Sequence, residues 1–249
     1  MKLAVLMPVY NREKHVGPAI RSLLRQRGAA DLEIVVVDDG STDRSRDVVL
    51  GLAAQAPCIR LIVQENQGVT RARNTALRSL SPDTDYVSFL DSDDMSPAER
   101  YAADMPLLQD RSAEFLYARV CRVDRLDDDT LGPSAEAVLE TSRGIQLGAG
   151  IFRMDFLRRV GEFDETFSQG EDTDFLFRAF EMRRKAIFPD TIGVYYRQHA
   201  ESLTNRTDEV RKGFLRALAR SAQRRRRDPS LADLQPIFGT TQTLTAAGI

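Results

Sequence analysis

The stretch Tyr86–Pro97, "YVSFLDSDDMSP", decides how the chain is read. An apolar run, Tyr86-Val87-Ser88-Phe89-Leu90, leads straight into Asp91, Asp93 and Asp94. A short, continuous apolar run of this kind reads as a strand covered on both faces. Carboxylates crowded at its end repel one another, and burying them unpaired is costly. Something positive belongs there. In an extended segment Asp91 and Asp93 point the same way, and two hard oxygen ligands suit Mg²⁺ or Mn²⁺ sharing its shell with water and a ligand phosphate. The alternative is a helix N-terminus, with the acids and Ser capping "PAERYAADM" and Pro97 in its first turn. Capping accounts for one or two acids, hardly three.

Upstream, the same pattern repeats. "KLAVLMPV", "LEIVVVD" and "IRLIVQ" read as strands, with helices from Val16 to Arg27, Thr42 to Gln55 and Val69 to Ser79 between them. Helices alternating with buried strands imply right-handed crossovers and a mostly parallel sheet. Such sheets bind ligands outside the carboxyl ends of their strands. The segments there are "PVYNRE", "DDGSTD", "ENQGVTRARN" and "DSDD", all polar, and together they form a convergent site.

Taken singly, each segment has a plain reading beside the functional one. Ser41, Thr42 and Asp43 suit a helix start and Gly40 a turn, yet Asp38 and Asp39 exceed that need and can accept hydrogen bonds from a nucleobase or ribose. Arg71 and Arg73, early in a helix, oppose its macrodipole, a small cost that a nearby anion would offset. Glu171, Asp172 and Asp174 open a helix, where acids are favourable anyway; that position lowers a carboxylate pKa and so weakens a base, unless desolvation restores it. His199, after "VYYRQ", taken alone is an ordinary structural histidine.

The second half is less regular. Glu114–Val123 and Ala135–Glu140 read as strands; "LGAGIFRMDFLRRV" reads as a glycine-rich entry and a short helix. A helix follows from Asp172 to Arg184, then the strand "TIGVYYRQH" and a helix from Asp208 to Arg227. In this last helix Phe214, Leu215, Leu218 and Ala222 fall near one side among many arginines. It packs on the domain with a solvated basic face, or lies on an anionic membrane surface.

Bulk properties bound the function. The 249 residues are 42% hydrophobic with a formal net charge of −2, which gives no global pull toward nucleic acid or membrane. The two cysteines, Cys58 and Cys121, lie far apart and read as buried free thiols in a reducing compartment, so the expected location is cytoplasmic, with a peripheral contact at the inner face of the membrane as the open addition. No G-x-G-x-x-G follows the first strand, against dinucleotide binding, and "PVYNREKH" lacks the glycine-rich basic loop of sugar-1-phosphate nucleotidyltransferases.

In order, "PVYNRE", "VVVDDGSTD", "ENQGVTRARN", "FLDSDD", "GEFDETF", "GEDTDFLFR" and "YYRQHAESLT" resemble the motifs of the family 2 glycosyltransferases, from Leu3 to Thr204. The resemblance implies an α/β GT-A nucleotide-diphospho-sugar transferase fold, with a mostly parallel central sheet flanked by helices and a C-terminal helical extension. It implies a domain over 1–205, split into a nucleotide-binding half, 1–95, and an acceptor and catalytic half, 96–205, followed by a helix and tail over 206–249. Pro8, Val9, Tyr10 and Asp39 would hold the nucleoside, with Arg73, Asp91 and Ser92 beside the nucleotide sugar and Asp38 shaping the turn. Asp93, Asp91 and His199 would hold a divalent cation, Mn²⁺ or Mg²⁺. Asp172 would be the catalytic base, with Glu171 near the acceptor.

The implied reaction is transfer of one sugar, with inversion, from a nucleotide-sugar donor, by family habit UDP-linked, to a carbohydrate, lipid-linked or small-molecule acceptor. With no tryptophan the chain lacks the Q-x-x-R-W segment of processive members, which supports single transfers. The rival from another class is a catalytically silent nucleotide-sugar-binding or assembly subunit. Retention of Asp93 and Asp172 argues against it.

Overall fold

The computed structural model describes residues 1–26, 30–109, 113–182, 185–198 and 207–231, and the backbone of 242–245. Along the chain the elements are β1 (Lys2–Val9), α1 (Val16–Leu24), β2 (Asp31–Asp39), α2 (Ser45–Ala53), β3 (Ile59–Gln64), α3 (Val69–Arg78), β4 (Tyr86–Phe89), α4 (Arg100–Asp104), β5 (Phe115–Tyr117) and β6 (Arg119–Val123). The short β7 (Leu126–Asp127) and β8 (Gly132–Pro133) follow, then β9 (Val138–Ser142), β10 (Gly150–Arg153), α5 (Met154–Val160), α6 (Glu171–Met182), β11 (Ala186–Ile187), β12 (Ile192–Arg197), α7 (Thr207–Arg227) and β13 (Gln242–Thr245).

The main sheet has the order β11-β5-β10-β4-β1-β2-β3. β3, β2, β1 and β4 run parallel, as continuous apolar strands should when helices cover both faces. From β1 the chain steps outward to β2 and β3, then returns to place β4 on the other side of β1. That reversal makes the β1/β4 boundary a topological switch point, where a crevice opens beyond the strand ends. Phe89 packs edge-on against Phe152, Phe163 and Phe175, which ties β4 to β10 and α6 in one core.

Three features differ from the sequence expectation. Glu114–Val123 is not one strand: β5 pairs β10 in the main sheet, whereas β6 joins the second sheet, β12-β6-β9-β13. The chain changes partners at Ala118, whose N–H goes to Ala149 O at 3.0 Å. The "GIFR" of the glycine-rich entry is strand β10, inserted antiparallel between β4 and β5. Finally, α7 packs on α6 through Gly213, Ala217 and Ser221, all buried, while Phe214, Leu215 and Leu218 are 40%, 52% and 40% exposed. Small residues admit close helix approach, and Phe214 meets Phe177 of α6 edge-on at the margin of this contact, so Leu215 and Leu218 are on the outward side of α7. Cys58 and Cys121 are free thiols. Among the described residues no helix is long and apolar enough to cross a membrane.

Candidate active site

A cavity of about 830 Å³ opens at the switch point. Its lining includes Pro8, Val9 and Tyr10 from the end of β1, Asp39 from β2, Arg73 from α3, Asp91, Ser92 and Asp93 after β4, and Glu171 and Asp172 from α6. These are the residues expected from sequence, with one exception: His199 lies outside the described residues. The second sheet closes the other wall through Val120, Arg122, Ser142 and Tyr196.

The segment after β4 is a turn, not the extended chain assumed above: Asp94 N donates to Asp91 O at 3.1 Å. The three acids therefore have different partners. Asp91 Oδ1 accepts from Arg73 Nη2 at 2.8 Å, and Asp93 Oδ2 accepts from Arg12 Nε at 3.1 Å. Asp94 turns inward, accepting from Arg197 N at 3.0 Å and Gln146 Nε2 at 3.1 Å. Burial pushes its carboxyl well above the usual range, and Asp93 and Asp91 push in the same direction. Asp94 thus joins the turn to β12 and does not cap α4, whose first residue is Arg100.

Asp39 is buried and its carboxylate accepts three bonds, from Gln64 Nε2, Gln67 N and Gly68 N, at 2.7, 2.9 and 2.8 Å. It therefore sets the loop that enters α3, where Gly68 adopts a φ of +90° that a Cβ would strain. Asp38 accepts from Ser41 N and Arg46 Nε, and so shapes the turn after β2.

The acids of α6 meet the same arginine. Arg73 donates to Glu171 Oε1 at 2.5 Å from its other terminal nitrogen, and it is 5% exposed. One guanidinium thus faces Asp91, Glu171 and Asp172 together, and their charge raises its own pKa although burial opposes this. A single cation cannot neutralise three carboxylates. Burial first, and the Asp172 charge second, push Glu171 up to about 7, while Arg73 pulls the other way. Burial also raises Asp172, against Arg73 and the N–H of Thr173, which donates to it at 2.6 Å. Desolvation therefore outweighs the helix N-terminus, and the result is a carboxylate better suited to take a proton.

No group of three or more His, Cys, Asp and Glu that could hold a metal occurs among the described residues. The donor set nonetheless fits a hard divalent cation. Asp91 and Asp93 offer carboxylate oxygens at the cavity, each held by a guanidinium, so the positive charge the sequence demanded is supplied by Arg73 and Arg12. Mg²⁺ and Mn²⁺ characteristically take one or two protein carboxylates and complete their shell with water and phosphate.

Sequence reasoning did not single out Arg12, Asn11, Gln146 or Arg197. Arg12 spans the switch point from the end of β1 to Asp93. Asn11 has a φ of +50° and its Oδ1 accepts Thr42 N at 2.8 Å, so it locks the β1 loop to the β2 loop. Asparagine between a strand and a helix was the available signal for a left-handed residue. For Gln146 and Arg197 there was none, because their partner Asp94 is remote in sequence.

The profile of "Glycosyl transferase family 2" matches residues 4–191. An uncharacterized glycosyltransferase of Nostoc sp. is 45% identical over 96 residues, 38% of this chain and 29% of that protein. An Escherichia coli protein named as a UDP-Glc:alpha-D-GlcNAc-diphosphoundecaprenol beta-1,3-glucosyltransferase is 34% identical over 116 residues, 46% of this chain and 44% of its own length. The chain thus spans less than half the length of either relative. Among solved structures, Staphylococcus aureus TarS 1-349 in complex with UDP-GlcNAc superposes with a TM-score of 0.73 at 20% identity, over 90% of this chain and 66% of that one. The mannosyltransferase PcManGT of Pyrobaculum calidifontis, in complex with GDP-Man and Mn²⁺, gives 0.67 at 20% identity over 89% and 64%. Those likenesses match the fold, GT-A, and the profile covers most of the chain: the protein belongs to glycosyl transferase family 2.

Proposed function

We propose that the protein transfers a single sugar, with inversion, from a nucleoside-diphosphate sugar to an acceptor hydroxyl, with Asp172 as the base. The observation that carries this reading is the single cavity that brings the Asp91–Asp93 turn and Asp172 together across Arg73. The donor occupies the β1/β2/β4 ends, between Tyr10, Asp39 and Ser92. UDP is the expected nucleotide, as in the donors named for the E. coli and S. aureus relatives. Residues 1–95 serve the donor and 96–205 the acceptor and base.

A divalent cation fits at Asp93 and Asp91, with His199 as a further donor, and when bound supplies positive charge to the departing diphosphate. Asp172 takes the proton of the acceptor hydroxyl, which is a poor nucleophile until that proton leaves. Glu171, protonated below pH of about 7, can donate a hydrogen bond to an acceptor oxygen, or accept one when ionised. Arg73 holds Asp91 and Glu171 in register and keeps positive charge beside the developing leaving group. Residues of β6, β9 and β12 form the facing wall of the cavity.

The acceptor is a glycan, a lipid-linked saccharide or a small molecule. A lipid-linked acceptor is favoured by the outward side of α7, where Leu215 and Leu218 lie among the exposed Arg211, Lys212 and Arg226. Such a face suits an anionic membrane surface. Sedimentation with anionic liposomes, with and without residues 206–249, tests the contact; equal binding excludes it. For the reaction itself, a thermal-shift panel of nucleoside diphosphates with Mn²⁺ or Mg²⁺ identifies the base. Metal-dependent stabilisation by one nucleotide is expected. Loss of transfer without loss of that stabilisation in Asp172→Asn supports the assigned base, whereas unchanged turnover refutes it.

A further inference from the structure

Helix α7 lies beyond residues 4–191, where the family profile ends, yet it touches the segment that carries the base. We propose that α7 is a clamp that positions the turn Gly170–Glu171–Asp172, with Gly213, Arg216, Arg220 and Arg224 as its positioning residues. The idea rests on the reading of Asp172 as base.

Backbone packing comes first. Gly170 has a φ of +85°, and a Cβ there would stand 2.8 Å from the carbonyl carbon of Gly213. The reverse holds too: a Cβ on Gly213 would overlap Gln169 O and lie 3.2 Å from Gly170 N. The two segments therefore meet glycine on glycine immediately before α6. Nothing larger fits without moving the turn.

Side chains then grip both flanks of this contact. Before the turn, Arg216 donates to Thr166 O at 2.6 Å and to Thr166 Oγ1 at 2.8 Å, and Arg220 donates to Asp164. Both guanidinium groups lie over the Phe167 ring, at 4.4 and 5.1 Å. After the turn, Arg224 reaches Asp174 Oδ1 at 2.8 Å and Glu181 Oε2 at 2.7 Å. Those two acids are each 2% exposed, so their charge requires a partner. Ser168, Gln169, Glu171 and Asp172, the chain between the two grips, line the cavity. The clamp thus fixes a short cavity-lining segment at both ends and through its backbone. Catalysis is sensitive to such placement, since a shift of about 1 Å can cost about a hundredfold in rate.

The test needs no substrate. In the full chain with ¹³C-labelled glutamate, the carboxyl of Glu171 is assigned through Glu171→Gln and titrated in wild type, Gly213→Ala, the pair Arg216→Gln with Arg220→Gln, and Leu215→Ser on the outward face. Hydrogen exchange over residues 164–172 is followed in parallel. The clamp predicts that Gly213→Ala admits water to the turn: the Glu171 midpoint falls from about 7 toward the ordinary carboxylate range by about one unit or more, and exchange accelerates about tenfold. The arginine pair moves both readouts in the same direction and decides the matter if Gly213→Ala does not fold. Leu215→Ser leaves both unchanged. A lower melting temperature with wild-type midpoint and exchange would make α7 a stabiliser only and overturn the proposal, as would an equal response to Leu215→Ser. Because neither readout involves transfer, they stand even if Asp172→Asn retains turnover, which would sink the reading of the base alone.

Discussion

The proposed donor side and the proposed base side of the cavity are built in different ways. At the ends of β1 and β2, contacts run largely within and between neighbouring loops: Asn11 to Thr42, Asp38 to Ser41, and Asp39 to the amides that open α3. The proposed base, Asp172, sits on α6, and the supports of that region come from afar: Arg73 from α3, and three arginines of α7. A region framed by strand ends keeps its shape through the sheet. One held by long side chains depends on each of them, so the base side should be the more sensitive to single substitutions remote in sequence.

The sharpest attempt to break this comparison is Asp172→Asn. Loss of a general base should cut turnover about a hundred- to ten-thousandfold while leaving melting temperature near wild type; activity within a few-fold of wild type would remove that role from Asp172. Arg224→Ala leaves Glu181 without this partner and Asp174 with Arg178 alone. Chemical denaturation should report a loss of about 2–3 kcal/mol, at or below the low end for a broken buried pair because Arg224 is 27% exposed. A loss comparable to a surface ion pair would show that the base side is no more fragile than the donor side.

The carboxylates give the next test. Asp172 must be ionised to act as a base and its pKa is raised, so turnover should climb with pH along an acidic limb above the ordinary Asp range. After burial, the charge of Asp91 across the shared guanidinium disfavours ionisation of Asp172, whereas it is the Asp172 charge that raises Glu171. Glu171→Gln should therefore leave that limb close to wild type; a large shift in either direction would mean that Glu171 is ionised where Asp172 titrates. With its folded pKa raised to about 7, Glu171 contributes stability below its unfolded pKa that is lost as pH rises through about 7. The smallest expected effect is on the donor side: Arg12→Ala removes a cation from Asp93 and should tighten Mn²⁺ binding a few-fold by electron paramagnetic resonance. Weaker Mn²⁺ binding would show Arg12 to be a support for the turn.

Much of the donor side was legible in the sequence. Buried parallel strands are continuous apolar runs, so β1 to β4 and the polar segments after them could be read directly, and with them nearly every cavity residue of that side. The geometry of the acids was not. Extended spacing suggested one shared face for Asp91 and Asp93, but the tight turn gives each its own arginine. Beyond β4 legibility fell for a physical reason. Apolar periodicity reports burial and not partnership, so it could not reveal that the chain changes sheets at Ala118, or that "GIFR" slips between β4 and β5. In α7 it pointed to the wrong side, because glycine, alanine and serine pack closest while Leu215 and Leu218 face outward.

The division of labour between the two sides can be measured directly by calorimetric titration of UDP with and without Mn²⁺ on wild type, Asp93→Asn and Asp172→Asn. Asp172→Asn should bind Mn²⁺ and UDP like wild type, whereas Asp93→Asn should lose the enhancement of UDP binding by Mn²⁺. If Asp93→Asn keeps that enhancement, or if Asp172→Asn loses it, the donor and base functions are not divided between the β4 turn and α6.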